Sequence, residues 1–196
     1  MHPDDRRQEI LAAARTLFAQ QGVARTTLAT IATEAGIARG LIYHYFPHKD
    51  ALVDVVLDGS IADFVDSLRE WDASREPGNI DKALTDCIAL FRRYLNPDGT
   101  LAPGLPRIED ARLQTRFVDQ AVGALVETLG VTTIPAYAAA HRIDIDHVPQ
   151  TFYVLIHGLI ALARSQPDIP DHVLADIVRQ TLRLDTNSPR PNPEGA

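Results

Sequence analysis

The spacing of proline is the feature that most restricts the fold of this chain. Its thirteen prolines leave long proline-free intervals, among them 4–46, 48–76, 107–134 and 150–166. Proline interrupts a helix because its ring removes a backbone hydrogen bond and clashes with the preceding turn. Within most of these intervals the apolar residues recur every three or four positions, as on one face of an amphipathic helix. The spacing predicts an all-α fold of about nine helices.

The first interval is predicted to contain three helices. An apolar face predicts a first helix that Gly22 ends as a C-terminal cap. Thr27 is a suitable N-cap for a second, short helix, which Gly36 closes about two turns later. A third helix is predicted to begin near Ala38 and to end before Pro47.

The rest of the chain is predicted to form longer helices separated by loops. They are expected at 47–73, 80–95, 107–141, 147–165 and 170–184. The third of these is interrupted near Gly130 and Pro135, and the β-branched run at 131–134 is the only credible strand, without a partner strand. Residues 96–106 are predicted to be a loop, and 186–196 a disordered tail with almost nothing to bury.

Charge is distributed unevenly along the chain. Residues 1–50 carry six Lys or Arg and five Asp or Glu, whereas the remaining residues carry 13 positive and 21 negative groups. An acidic surface repels nucleic acid and anionic membranes, so contact with DNA is expected only through the N-terminal segment. The single cysteine, the absence of an apolar signal at the N-terminus and the absence of a run of about 18 apolar residues favour a cytoplasmic setting.

The stretch GIARGLIYHYFPHKD places Tyr43, His44 and Tyr45 next to one another. Successive helical residues are rotated by about 100°, so these three side chains cannot all point into one core. Two short helices joined by a tight turn that contains glycine outline a helix-turn-helix, whose second helix enters the major groove of DNA. Ile42 and Phe46 are then expected to pack on the rest of the domain, while the tyrosines and the imidazole face DNA.

The segment GVARTTLATIATEAGIARGLIYHYFPHKDALV, residues 22–53, resembles the DNA-binding domain of the TetR/AcrR family of transcriptional repressors. The matching features are Gly and Thr-Thr before the second helix, Ile-Ala within it, Ala-Gly-Ile at the turn, and then Gly-x-x-Tyr-x-Tyr-Phe and a Lys. The resemblance implies a DNA-binding domain at 1–47, extending to about residue 60 with the start of the next helix. It also implies a ligand-binding and dimerisation domain at 48–185.

The resemblance further implies which residues contact DNA. They are Thr27, Arg39, Gly40, Leu41, Tyr43, His44, Tyr45 and Lys49. Thr27 caps the second helix and touches a phosphate, and Lys49 clamps the DNA backbone. Arg39 is expected to read a base directly, because a guanidinium can bind O6 and N7 of guanine together.

Two positions depart from the family pattern. Ala38 stands where a capping Ser or Thr is common, a loss of about 1 kcal/mol if nothing replaces the cap. Leu41 stands where a Thr is common, and it can contact a thymine methyl group instead of a phosphate. These departures bear on the operator sequence and leave the class of function unchanged.

The resemblance implies that the rest of the chain binds a small molecule and forms a homodimer. An operator has two-fold symmetry, and one short helix reads too few bases, so two must lie about 34–36 Å apart. The last two predicted helices are expected to pair with their copies in a four-helix interface. An effector would move the long helix at 47–73 and so change the spacing of the recognition helices. The residues predicted to line its pocket are Trp71, Phe91, Tyr94, Phe117, Tyr137, His141, Tyr153 and His157.

The sequence gives less support to two other classes of protein, an enzyme and a metal-responsive regulator. The chain contains no GxSxG, HExxH, GxGxxG or P-loop motif, and Cys87 falls on an apolar helical face like a core residue, so neither catalysis nor a cofactor is predicted. A metal-responsive regulator is the closer alternative, with His141, Asp144, Asp146 and His147 as possible ligands. The competing interpretation is that Asp144 or Asp146 caps the next helix. Activation instead of repression also stays open.

Overall fold

The computed structural model describes residues 3–74, 76, 79–94 and 105–184, and within them the chain forms nine α-helices and no strand. Most of the predicted loop at 96–106 and all of the predicted tail lie outside these residues. The all-α fold is confirmed. The helices are α1 Pro3–Gln21, α2 Leu28–Glu34, α3 Arg39–Tyr45, α4 Lys49–Ser74, α5 Ile80–Tyr94, α6 Ala111–Val131, α7 Thr133–Ala140, α8 Val148–Ser165 and α9 Asp171–Leu182.

Two glycines end α1 and α2, as predicted. Gly22 has φ +88° and Gly36 has φ +63°, left-handed backbone conformations that glycine adopts without steric cost. The N–H of Gly22 donates to the carbonyl of Phe18 at 3.1 Å, which closes the last turn of α1. Each glycine thus turns the chain sharply between two of the first three helices.

The β-branched run at 131–134 is helical, with one break at Thr132. Thr132 has φ −118° and ψ −80°, and its hydroxyl donates to the carbonyl of Thr128 at 2.9 Å. A lone strand would leave its backbone groups unpaired, whereas a helix satisfies them internally. The interruption predicted between Gly130 and Pro135 is therefore confirmed, and the suggestion of a strand is wrong.

The chain divides into two compact units. The N-terminal unit comprises the described residues of 1–64 and 101–120, and the C-terminal unit comprises those of 65–100 and 121–196. The sequence-based domain boundary did not include the second of these segments in the DNA-binding part. Arg107 joins it to the N-terminal unit through its backbone, which donates to Phe18 O at 3.0 Å and accepts from Val23 N at 2.8 Å.

The core of the N-terminal unit holds α1, α2 and α3 together as one body. Side chains from α1, α2, α3 and the first half of α4 are fully buried in it, and each large one contributes about 1.5–3 kcal/mol relative to exposure. The fully buried members are Ile10, Ala14, Phe18, Ile31, Ile42, Leu52 and Val56. Because Ile42 belongs to α3, the same packing that stabilises the unit also determines which side of α3 faces solvent.

The C-terminal unit has its own core, built mainly from α5, α8 and α9. Ile88, Leu159 and Leu174 are buried there, with partly buried apolar side chains around them. Arg92 adds a polar link, because its Nε donates to Asp171 Oδ1 at 2.9 Å and its Nη2 donates to the carbonyl of Ile169 at 2.8 Å. These contacts tie α5 to the start of α9.

Within the part of the chain that the structure describes, one segment, Ala111–Ala139, is long and apolar enough to cross a membrane by length and composition, with a mean hydropathy of 1.3 over its best window of 18 residues. A single segment of this kind is weak evidence, because core helices of soluble proteins meet the same criterion. The helical run is also interrupted at Thr132. The segment therefore gives little support to a membrane span.

Candidate DNA-binding site and effector cavity

Helix α3 has one buried side and one exposed side. Ile42 is 0% exposed and Phe46, its C-cap, is 2% exposed, whereas Leu41 is 40% and Tyr43 47% exposed. His44 is also exposed. An aliphatic and an aromatic side chain thus lie beside each other on the exposed side of α3. The predicted packing of Ile42 and Phe46 is confirmed.

Tyr45 occupies an intermediate position. It is half-buried and packs against the core of the N-terminal unit, and its ring lies edge-on to that of His44 with the centroids 6.4 Å apart. Only part of the Tyr45 side chain is therefore free for another molecule. Its contact with phosphate stays a prediction.

The two threonines before α2 have different roles. Thr27 is the exposed N-cap, and its Oγ1 accepts from the N–H of Thr30 at 3.1 Å and lies 2.8 Å from the Thr30 hydroxyl. Thr26 is fully buried, and its hydroxyl donates to the carbonyl of Gly22 at 2.8 Å. Thr27 is confirmed as the cap, and Thr26 is a structural partner that the sequence analysis did not single out.

Lys49 begins α4 and reaches back to the loop between α1 and α2. Its Nζ donates to the carbonyl of Ala24 at 3.4 Å, and the N–H of Ala24 donates to Glu109 Oε2 at 3.1 Å. An ammonium group has three donors, so a bond to Ala24 leaves donors for a phosphate. Glu109 thus supports, through the loop, the position of a residue predicted to contact DNA.

Three basic side chains near α3 were not predicted as functional. Arg25 is exposed in the loop next to the Lys49 contact, and His48 is exposed with its Nδ1 accepting from the N–H of Ala51 at 3.2 Å. The guanidinium carbon of Arg7 lies 5.4 Å from the centre of the Phe46 ring. Only His48 lies close to the aromatic motif in the sequence, so it alone had a local sequence signal.

A compact three-helix domain whose third helix buries one side and exposes basic and aromatic residues on the other is a helix-turn-helix DNA-binding domain. Residues 10–56 match the family described as "Bacterial regulatory proteins, tetR family". The chain is 45% identical over 69 residues, 35% of its length and 34% of the relative's, to the HTH-type transcriptional repressor KstR2 of Rhodococcus jostii (strain RHA1). Residues 10–56 therefore form a DNA-binding domain of the TetR type.

Solved structures of similar proteins extend the likeness in fold to nearly the whole chain. Salmonella enterica GusR has a TM-score of 0.62 at 18% identity, covering 94% of this chain and 98% of that one. A TetR-family transcriptional regulator from Streptomyces coelicolor has a TM-score of 0.61 at 17% identity, covering 93% and 98%. The chain matches only about a quarter to a half of the length of its curated relatives. Beyond the N-terminal domain, the likeness is therefore one of fold.

A cavity of about 230 Å³ lies within the C-terminal unit. Three of the residues predicted to line an effector pocket, Trp71, Tyr137 and His141, lie on its wall. Most of the wall is apolar and comes from α4, α5, the end of α6, α7, α8 and α9. The other apolar lining residues are Ile80, Ala83, Leu84, Leu129, Ile134, Ala136, Ile143, Ile145, Val148, Phe152, Val178, Leu182 and Leu184.

The other five predicted lining residues lie elsewhere. Phe117 is buried in the core of the N-terminal unit, and Phe91 packs against the core of the C-terminal unit. The hydroxyl of Tyr94 lies 2.8 Å from that of Ser67. The rings of Tyr153 and His157 are 4.5 Å apart, and Tyr153 is exposed. Phe152, next to Tyr153, faces the cavity instead, because neighbouring helical residues point in different directions.

The residues considered as metal ligands do not form a site. The His141 ring stacks on that of Tyr137 with centroids 4.5 Å apart, and Asp144 Oδ1 pairs with Arg142 Nε at 2.6 Å. No group of three or more possible ligands occurs among the residues that the structure describes, which include Asp146 and His147. The metal-responsive alternative is therefore not supported.

The start of α8 also differs from expectation. His147 is its N-cap, with φ +53°, and no side chain makes a capping hydrogen bond there. The interpretation that Asp144 or Asp146 caps the helix is therefore wrong. Pro149 in the first turn of α8 has no N–H to satisfy, which lowers the need for such a cap.

Cys87 lines the cavity and its side chain is accessible there, so its assignment as a packed core residue is wrong. The cavity wall around the thiol is mainly apolar and hydrates it poorly. This desolvation disfavours the thiolate and raises the pKa of Cys87 to about 11. The thiol is therefore protonated, neutral and weakly nucleophilic near pH 7.

We expect iodoacetamide to alkylate Cys87 of the folded protein at a rate that still rises about tenfold per pH unit between pH 8 and pH 10, because the thiolate is the reactive form. For the chain unfolded in denaturant, the alkylation rate should level off at a pH near the ordinary cysteine pKa of 9.0. Mass spectrometry of timed samples measures both rates. A folded-state rate that levels off near pH 9 would contradict the raised pKa, and Cys87→Ser is the blank.

Proposed function

We propose that this protein is a transcriptional regulator that binds a palindromic operator as a homodimer and leaves it when a small molecule binds. The observation that carries the proposal is the geometry of α3, which buries Ile42 and Phe46 and exposes Arg39, Tyr43 and His44 within a TetR-family domain. Repression is favoured because a relative that shares this domain is named a transcriptional repressor. Such a role requires access to DNA, so we place the protein in the cytoplasm, as a regulator and not as an enzyme.

In this proposal the start of α3 approaches the edges of the bases. Arg39 is exposed and binds guanine, and exposed Leu41 contacts a thymine methyl group. A Cβ atom at Gly40 would meet no protein atom within 4 Å, so the fold does not require glycine there. The missing side chain instead allows DNA to approach the backbone closely.

The remaining contacts are with the DNA backbone. Thr27 and Lys49, at the starts of α2 and α4, donate to phosphates, as do the exposed Tyr43 and His44 and the free part of Tyr45. Phosphate contacts fix the register of the domain on the duplex, and base contacts select the sequence.

A mobility-shift assay tests the proposal. The purified protein is incubated with duplexes selected from a random pool and with DNA that flanks its own gene. We expect a sequence-specific complex on a site with two-fold symmetry, and an affinity that falls as the salt concentration rises because phosphate contacts release counterions. Failure to enrich any duplex from the pool would contradict DNA recognition by α3.

A homodimer is supported by a shallow apolar groove along α8 and α9. Val154, Leu155, Leu159 and Ile177 line it, and Val154 is 70% exposed. Gly158, also on this groove, has no neighbouring atom within 4 Å of a Cβ position, which leaves room for a second helix. We propose that this face packs against its copy as a four-helix interface.

Val154→Asp is expected to raise the dimer dissociation constant about 10- to 100-fold, or about 1.4–2.8 kcal/mol, because pairing would bury an unpaired carboxylate twice. Sedimentation velocity over a concentration series measures the change. Val131→Asp is the matched control, since Val131 is 74% exposed and does not line the groove. If both variants weakened the dimer equally, or if neither did, the interface would lie elsewhere.

Release by an effector would act through α4. This helix is continuous from Lys49, shortly after α3, to Ser74, and Trp71 near its end lines the cavity. A molecule that binds one conformation of α4 better than the other shifts the equilibrium between them by its difference in affinity. We propose that the conformation with effector bound spaces the two α3 helices incorrectly for the operator.

A further inference from the structure

We propose that Glu109, which lies outside the helix-turn-helix, is a positioning residue for DNA binding: its carboxylate holds the loop between α1 and α2 so that Lys49 meets a phosphate. This inference rests on the proposed function, in which Lys49 donates to the DNA backbone. It adds a residue that is far from the recognition helix in the sequence. It also predicts that removing a negative charge from this surface weakens binding to DNA.

The loop between α1 and α2 takes part of its shape from the segment before α6. The N–H of Val23 donates to the carbonyl of Arg107 at 2.8 Å, and the N–H of Ala24 donates to Glu109 Oε2 at 3.1 Å. Each bond holds one peptide group of the loop in a set direction. The carbonyl of Ala24 in turn accepts from Lys49 Nζ at 3.4 Å. The carboxylate of Glu109 therefore determines, through one residue, where the ammonium group lies.

Glu109 can hold the loop because its own segment is anchored in the N-terminal unit. Pro106 is fully buried, and Ile108 packs against the core. The carboxylate of Asp110 accepts from the N–H of Leu113 at 2.8 Å at the start of α6. The Glu109 side chain itself is exposed, and exposed side chains contribute little to core packing. Its removal should therefore release the loop without unfolding the unit.

A glycine makes room for the Glu109 carboxylate. A Cβ atom at Gly22 would overlap Glu109 Oε1 and would lie 2.7 Å from the carboxyl carbon. Such an atom would displace the carboxylate and break its bond to Ala24. Gly36, which also has positive φ, has no atom within 4 Å of its Cβ position. Gly22 is thus required for the seat of the carboxylate as well as for its backbone conformation.

The sign of the effect separates positioning from simple electrostatics. A carboxylate near a phosphate-binding residue repels DNA, so its removal alone would tighten binding. Asp50 provides the comparison, because it lines the same surface depression of about 380 Å³ as Glu109 and Lys49. Its carboxylate is exposed and forms no hydrogen bond or ion pair with the residues that the structure describes. Loss of the Asp50 charge should therefore not weaken binding, whereas loss of Glu109 should.

Fluorescence anisotropy of the full-length protein, with the selected operator and with a random duplex, measures these effects. We expect Glu109→Ala to weaken both duplexes about 3- to 10-fold and to lower the slope of log affinity against log salt, as Lys49→Ala does. Glu109→Gln keeps an oxygen that can accept from the Ala24 N–H, so it should bind within about twofold of wild type or more tightly. Asp50→Asn should bind at least as tightly as wild type.

Two double-variant cycles test whether Glu109 acts through Lys49 and over Gly22. In the Lys49→Ala background, Glu109→Ala should change the affinity by less than about twofold, because the residue that it positions is absent. Gly22→Ala should weaken binding at least about threefold more in the wild-type background than in the Glu109→Ala background, since the backbone strain is the same in both. Thermal unfolding checks that each variant is folded. Where Gly22→Ala is not, the cycle with Lys49 decides.

Three results would overturn the inference while leaving the proposed function intact. Glu109→Ala could bind DNA as tightly as wild type or more tightly, its effect could add fully to that of Lys49→Ala, or Glu109→Gln could weaken binding as much as Glu109→Ala. A purely structural role for Glu109 would lower the unfolding temperature and would leave the salt slope unchanged. Failure of the wild-type protein to bind any duplex would instead overturn the proposed function and this inference together.

Discussion

Arg39→Ala is expected to weaken binding to the selected operator by about 2–6 kcal/mol per dimer, the loss of a bidentate guanine contact worth about 1–3 kcal/mol in each half-site. Arg39 is exposed at the first position of α3 and forms no ion pair with the other residues that the structure describes, so the substitution leaves the packing of the helix unchanged. Fluorescence anisotropy of labelled duplexes, at one fixed salt concentration, measures the change.

The pattern across sequences separates base reading from general attraction. Arg39→Ala should lose affinity for the operator and also lose discrimination at one base pair of each half-site. Lys49→Ala, the matched change at a residue proposed to contact phosphate, should weaken all duplexes about equally and reduce the slope of log affinity against log salt by about 1 per half-site. If Arg39→Ala weakens operator and random DNA equally, Arg39 contacts the backbone and another residue reads the base.

The N-terminal helices could be predicted from the sequence because their determinants are local. Gly22 and Gly36 end helices through their own backbone freedom, and Thr27 caps α2 with a bond to a residue three positions away. The orientation of α3 also followed from helical periodicity, which assigned Ile42 and Phe46 to the core. These are interactions over a few residues, which a sequence pattern records directly.

Features that depend on distant parts of the chain could not be predicted in this way. Glu109 and Arg107 join the N-terminal unit through bonds to residues about 85 positions away, and no periodicity indicates that pairing. Cys87 follows the apolar pattern of α5, yet it borders a cavity, since a helix face that lines a cavity has the same periodicity as one that packs in a core.

The cavity of the C-terminal unit, proposed as the effector site, shows the same limit at the level of single residues. Trp71, Tyr137 and His141 were selected as aromatic or polar residues in the receptor domain, and the tertiary structure brings them together on one wall. Tyr153 met the same criterion and is exposed, while its neighbour Phe152 lines the cavity. Composition selects the type of side chain suited to a pocket, and only the packing of several helices decides which of them reach it.

Two neighbours on α3 provide a direct test of the division between its buried and exposed sides. Ile42→Ala is expected to destabilise the N-terminal unit by about 2–5 kcal/mol, because it removes a fully buried side chain and leaves a cavity among α1, α2 and α4. Leu41→Ala, on the exposed side, should change stability by no more than about 0.5 kcal/mol. Native-state amide hydrogen exchange within α1 to α3 measures the free energy of opening for each variant.

The same pair should behave in the opposite way toward DNA once both are folded. At a temperature where each variant is at least nine-tenths native, Leu41→Ala should alter the preference for thymine at one position of the half-site, whereas Ile42→Ala should keep the wild-type preference, since its side chain does not reach the surface. If Leu41→Ala destabilised the unit as strongly as Ile42→Ala, both sides of α3 would be packed in the protein. No free surface would then remain on this helix to enter the groove.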